Sequence, residues 1–190
     1  MFQSTLTSAD PESPMTRYAP TLVVLHWLLA LMIIAALLFG SQLLDPMPNS
    51  DLDKVVALRS HMLVGFVIVA LMGVRLAVRR GSAHPPVADA GHPMLTKAGV
   101  WAHWALYGLV FAMALSGLGL SLAAGLPDVI FGTSQAGLPE SFDVFAARRV
   151  HGVLATLLGL LIALHVAAVA YHMAVRRDGL IRRMWFGKDA

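Results

Sequence analysis

Hydrophobic positions run along this chain in four long blocks. Leu22 to Leu44, Ser60 to Val74, Ala98 to Pro127 and Val150 to Val175 contain no Asp, Glu, Lys or Arg. Crossing the hydrocarbon core of a bilayer takes about 20 mostly apolar residues, and the blocks predict membrane-spanning helices over residues 20–42, 58–79, 98–122 and 146–175. The second block is short, so Arg75 at its end is expected near an interface or snorkelling toward one, its stem in lipid and its guanidinium in water. Between the blocks, "SQLLDPMPNSDLDK" carries turn residues and predicts a short loop. "AAGLPDVIFGTSQAGLPESFDVFAA" is longer and alternates apolar with turn residues, so part of it is expected on the membrane surface or capping the bundle. "RRGSAHPPVADAGHP" is rich in Pro and Gly and predicts no regular structure. The expected fold is an all-α membrane protein, a four-transmembrane-helix bundle over residues 18–186, with a polar tail at 1–17 and a short one at 187–190.

Composition agrees with this pattern. Of 190 residues, 57% are hydrophobic and only 13% charged, and the mean hydropathy is +0.70, far from an ordinary soluble domain. The polar opening segment lacks the basic and apolar regions of a cleaved secretory signal, so the first helix is expected to serve as the insertion signal. With no cysteine in the chain, disulfides, thiolate-held iron–sulfur clusters, covalent haem attachment through Cys and Cys-built zinc sites are all excluded. Any metal here must be held by His.

Charge orients the bundle. Arg17, Arg75, Arg79, Arg80, Lys97, Arg176, Arg177, Arg182, Arg183 and Lys188 fall on one side, ten of the fourteen basic residues. The other side holds Lys54, Arg59, Arg148 and Arg149 with six acids: Asp45, Asp51, Asp53, Asp128, Glu140 and Asp143. Lys and Arg resist translocation, so both termini are expected in the cytoplasm, with the chain a multi-pass protein of a bacterial inner membrane.

Six histidines lie at or within the spans. One intramembrane imidazole can serve packing alone, but six costly polar groups in hydrocarbon make a functional hypothesis. With a rise of 1.5 Å per residue and the nearest basic residue as an interface marker, His61 and His151 each sit roughly 3 Å inside the outer boundary. His26 and His165 sit roughly 13 and 16 Å from the inner boundary. His103 and His172 lie shallower on the inner side, at roughly 9 and 6 Å. His151, His165 and His172 project from one face of the last helix, because fourteen and then seven residues at about 100° each fall within roughly 40° and 20° of whole turns. Two imidazoles at one depth on facing helices are what a six-coordinate haem iron requires, and two such pairs imply two b-type haems stacked across the bilayer. Gly65, Gly152 and Gly159 lie near these positions and would let a flat macrocycle approach, although small residues also serve ordinary helix packing. A zinc or copper site would want three or four donors at one level. A His proton relay would need donors bridging the tiers.

The segments "LHWLLA", "RSHMLVGFVIVALMGVRL", "WAHWALYGLVFAMALSGLGL" and "VHGVLATLLGLLIALHVAAVAYH" resemble the bacterial cytochrome b561 family, small four-helix di-haem membrane cytochromes that include superoxide oxidases. The resemblance runs from about Tyr18 to about Phe186. It implies His61 with His151 on the outer haem iron and His26 with His165 on the inner one, with His103 open as an alternative to His26. It also implies a quinone at the cytoplasmic side, where His103 and His172 could bond a carbonyl and carry its proton. Lys54, Arg59, Arg148 and Arg149 lie close in sequence to His61 or His151 and could steer an anion to the outer haem; pairing with haem propionates is the structural alternative. The expected activity is oxidation of periplasmic superoxide and reduction of ubiquinone, as an oxidoreductase. Two other readings stand beside it: a haem b subunit passing electrons between a dehydrogenase partner and the quinone pool, and a non-redox transporter carrying protons on His.

Overall fold

A computed structural model describes residues 16–132 and 137–187. Most of the polar stretch expected as an N-terminal tail, and Lys188, lie outside the described residues. Among those described, five α-helices and no strand are found: α1 Pro20–Phe39, α2 Asp53–Gly81, α3 Pro93–Ala123, α4 Leu126–Ile130 and α5 Ala146–Tyr171. Helix α1 runs on through a π-turn, Gly40–Leu44, and α5 through another, His172–Arg176. Four segments are long and apolar enough to cross a membrane: Pro20–Leu44, Asp53–Gly81, Pro93–Ala123 and Ala146–Arg176.

Helices α2 and α3 each start five residues before the expected 58 and 98. Apolar character marks where the bilayer begins, whereas a helix continues as long as its own hydrogen bonds and caps allow. Asp53 complements the dipole in the first turn of α2. At α3, Pro93 occupies the first turn and the His92 imidazole caps it, its Nδ1 accepting from the Met94 amide at 3.2 Å.

Helix α3 packs chiefly on α5 and α1 on α2, and the α2–α3 contact joins the two pairs. One core forms where all four long helices meet, around Leu29, Ile68, Met72, Tyr107, Val110 and Leu158. Large apolar side chains such as Leu31, Leu122 and Leu164 are instead more than 60% exposed. That inversion is natural when the solvent is lipid, since burying Leu between helices then gains little over leaving it in acyl chains.

A second core closes the outer end. Gly125 takes a left-handed conformation (φ 63°) that ends α3 and turns the chain into α4, placing Leu126 and Ile130 against Leu44 and Leu58. The long outer loop thus caps the bundle in part, one of the two roles expected for it. Lys54, 3% exposed, donates from Nζ to the Leu44 carbonyl at 2.5 Å and the Met47 carbonyl at 2.7 Å. Arg59 donates to the Ile130 carbonyl from Nε at 3.0 Å and from Nη2 at 2.5 Å. The Leu44 and Ile130 carbonyls each end a helix whose last turn leaves them unsatisfied, and the Met47 carbonyl belongs to the loop that follows.

At the inner end the 82–92 connection is irregular, as its Pro and Gly content predicts. The C-terminal segment folds back onto α1: Trp27 Nε1 donates to the Met184 carbonyl at 2.8 Å, and the Trp27 and Trp185 rings meet edge-on at 5.5 Å. Arg75 departs from expectation. It is not drawn out to water but is 8% exposed inside the bundle, with Nη1 donating to the Leu22 carbonyl of α1 at 2.7 Å.

Lys54→Met keeps the apolar stem but strands two carbonyls, so it is expected to lower stability by about 1.5–3 kcal/mol, the range for hydrogen bonds to a charged group. Chemical denaturation in detergent micelles measures the loss, and an unchanged midpoint would show that the Lys54 ammonium does not hold the loop.

Candidate functional site

The two histidine pairs matched in depth along the helices converge. His61 of α2 and His151 of α5 have ring centroids 6.2 Å apart at 80°, and His26 of α1 and His165 of α5 have theirs 6.3 Å apart at 68°. An imidazole nitrogen lies about 1.1 Å from its ring centroid and binds a first-row metal at roughly 2.0–2.1 Å, so two rings trans on one metal stand a little over 6 Å apart. Both pairs meet that spacing. His103 of α3 lies 5.3 Å from His165, too close for a metal between the two rings. Geometry therefore favours His26 over His103 as the partner of His165.

Around the outer pair the helices leave a cavity of about 890 Å³. Its wall includes Gly40, Gly65, Gly117, Gly152 and Gly159 beside His61 and His151. At Gly117 a Cβ would stand 3.2 Å from His151 Cε1, so any side chain there pushes on the imidazole. The His151 tautomer is also set by its neighbours. Ser116 Oγ donates to the Met113 carbonyl at 2.8 Å, which leaves it to accept from His151 Nδ1–H at 2.9 Å. The Nε2 lone pair is then free for a metal, the arrangement by which ligating histidines are oriented. His61 Nδ1, by contrast, is buried with no hydrogen-bond partner, and the Phe39 ring stacks on that imidazole at 6.5 Å.

The four outer cations are placed unequally. Lys54 and Arg148 line the cavity, together with Asp45, to which Arg148 is bound by a short ion pair. Arg59 is occupied by the Ile130 carbonyl, and Arg149 is exposed at the start of α5. The inner candidates part company. His103, its Nδ1 2.7 Å from the Gly99 carbonyl, belongs with His165 and His26. His172 is buried by the π-turn, and its Nδ1 pairs with Asp178 Oδ2 at 2.5 Å. Among the described residues no ring contact joins His103 to His172.

The model of the prokaryotic cytochrome b561 family matches residues 17–187. The chain belongs to the prokaryotic cytochrome b561 family. Among its relatives are a probable superoxide oxidase of Yersinia pestis, 25% identical and covering 88% of this chain and 95% of that protein, and cytochrome b561 homolog 2 of Escherichia coli strain K12, 26% identical with 92% and 93% covered. This cytochrome is thus a helical-bundle haem b protein of a bacterial membrane, and its work is membrane electron transfer. The donor set fits haem: paired imidazoles at the spacing two ligands of one iron require, and a glycine-walled cavity on the outer two rings. Haem, when bound, supplies one-electron redox chemistry; these residues supply ligation, orientation and exclusion of water.

Reasoning from sequence passed over Ser116, Gly117 and Asp178. The Ser–Gly pair in the apolar run of α3 was a signal, since a serine there must bond something. Asp178 is the acid nearest the last histidine in sequence, but only the π-turn and the left-handed Arg177 (φ 51°) bring it back onto His172.

Two outcomes are expected. Gly117→Val displaces the His151 imidazole and lowers haem content, read by the pyridine haemochrome assay; full haem loading would show that the ring has room to move. At Asp178, burial pushes the carboxyl up, but hydrogen bonds to His172 and to the Leu180 amide outweigh it and hold the group below its ordinary 3.8. A depressed folded-state value means that this contact stabilises at neutral pH and is lost only as pH falls through the lowered value. Trp185 fluorescence should therefore stay constant from neutral pH into the ordinary carboxylate range and change only in stronger acid. Asp178→Ala should loosen the segment at neutral pH by about 0.5–1 kcal/mol, given its partial exposure; a wild-type transition above 3.8 would contradict this.

Proposed function

We propose that this cytochrome takes electrons from superoxide at its outer face and delivers them to ubiquinone at its inner face. The balance is two superoxide anions and two protons with one quinone, giving two molecules of oxygen and one quinol. Two b haems are assigned, one between His61 and His151 and one between His26 and His165. The observation that carries this reading is the pair of axial spacings, 6.2 and 6.3 Å, offered to α2 and α1 by one face of α5.

At the outer end the cavity holds two cations beside the imidazoles. Lys54 and Arg148 supply positive potential there, reduced by the Arg148–Asp45 pair, and attract a small anion from solution. Arg59 and Arg149 contribute at longer range. The relative named a probable superoxide oxidase points the same way.

At the inner end His172 is the proton-handling group we assign to the quinone. Asp178 accepts from its Nδ1–H and leaves Nε2 to meet a quinone carbonyl, while Asp178 itself reaches the aqueous side. His103, packed on His165, is assigned to the wall between the inner haem and the quinone. Both termini are assigned to the cytoplasm, from the ten basic residues of the inner side.

A superoxide pulse on the oxidised protein is expected to reduce haem at a near-diffusional rate that falls with ionic strength, since steering by Lys54 and Arg148 is screened by salt. His151→Ala should remove one haem of two and abolish that response. Haem that stays oxidised in the wild type would instead favour the role of a haem b subunit for a dehydrogenase partner. Retention of both haems in His151→Ala would overturn the pairing.

A further inference from the structure

Arg75 is the buried charge that the mechanism leaves unused. It sits in α2 at 8% exposure, with Nη1 donating to the Leu22 carbonyl and the Tyr107 phenol beside the guanidinium. No carboxylate among the described residues pairs with it. A guanidinium carries five donors and cannot be deprotonated in a protein, and a buried ion is tolerated only when paired and hydrogen-bonded. Its location adds to the imbalance. Lys54 and Arg59 meet carbonyls at helix C-terminal ends, where the dipole is negative, but Leu22 lies in the first turn of α1, where it is positive.

A second polar group stands at the same place. Tyr107 of α3 is 8% exposed, and its buried Oη stands against the Arg75 guanidinium with its hydroxyl proton given to no acceptor. It lies close enough to Arg75 to act on it electrostatically, and Arg75 in turn lies within such range of His26 and His103. A cation with spare donors, a hydroxyl with a spare proton and the positive end of a helix therefore surround one spot. Along α1 that spot is one turn from His26, toward the inner face.

We propose that Arg75 and Tyr107 form an oxyanion site for a carboxylate of the haem that His26 and His165 hold. The guanidinium presents parallel donors to the carboxylate and the phenol adds a third, the fork geometry that makes arginine suited to carboxylates. The site would hold the haem from α2 and α3, while the imidazoles of α1 and α5 would hold its iron. Positive charge this close also favours the reduced haem. The proposal rests on assigning His26 and His165 as the inner pair.

The test uses the full-length protein produced with haem ¹³C-labelled at its carboxylates, and compares redox-difference infrared spectra of the wild type, Arg75→Lys, Arg75→Gln and Tyr107→Phe. Label-sensitive carboxylate bands are expected to shift in all three variants, and Arg75→Gln is expected to lower the inner-haem reduction equilibrium about tenfold, about 59 mV for a one-electron couple. Should Arg75→Gln lose its inner haem, Arg75→Lys and Tyr107→Phe still report the bands. Label-sensitive bands identical to wild type in variants that retain both haems would overturn the proposal, as would shifts confined to ¹³C-labelled quinone. Loss of no haem on replacing His26 or His165 would instead overturn the ligand assignment beneath it.

Discussion

Two imidazoles fourteen residues apart on one face of α5 organise everything else in the molecule. At 1.5 Å per residue they stand about 21 Å apart along the axis, one toward each side of the bilayer. Each meets a ring on a neighbouring helix, His61 on α2 at 6.2 Å and His26 on α1 at 6.3 Å, the spacing that the proposed haem ligation requires. The helices must stand apart at those levels yet pack between them, so glycine lines the outer cavity while Leu29, Ile68, Val110 and Leu158 close the middle. Paired ligands thus account for both the hollow and the solid part of the bundle.

The bundle's buried cations follow a second constraint. With no acid beyond the first residue of any span, a Lys or Arg taken out of water turns to backbone carbonyls, and the last turn of a helix offers them unpaired. Lys54 and Arg59 use this arrangement to fasten the outer loops over the end of the bundle. These are residues that charge alone marks as steering groups, and their hydrogen bonds give them a structural role as well. Only Lys54 and Arg148 also line the cavity. The same logic singles out Arg75, which has a carbonyl at the unfavourable end of a helix and no carboxylate.

The membrane architecture and the histidine pairs were legible because both depend on long-range regularities of the helix: hydropathy over about 20 residues and depth at 1.5 Å per residue. Depth does not report azimuth, which is why the sequence left His103 open against His26, and why it grouped His103 with His172 although α3 turns His103 onto His165. Irregular backbone was illegible for a similar reason. The two π-turns, of which the first extends α1 and the second holds His172, have no apolar signature, and the return of Asp178 onto His172 depends on the second. Of the two placements expected for Arg75, snorkelling into water, the general rule for an arginine near a span end, is the one that fails, because packing of α1 and α3 against α2 keeps it dry.

The central claim is that α1, α2 and α5 hold two haem irons between pairs of imidazoles. Electron paramagnetic resonance of the fully oxidised protein tests it most directly, because two axial nitrogens make ferric haem low-spin. The account predicts two low-spin ferric signals integrating to two haems per chain, with no high-spin component. A high-spin signal equal to a whole haem, or spin for only one haem in a fully loaded sample, would contradict it.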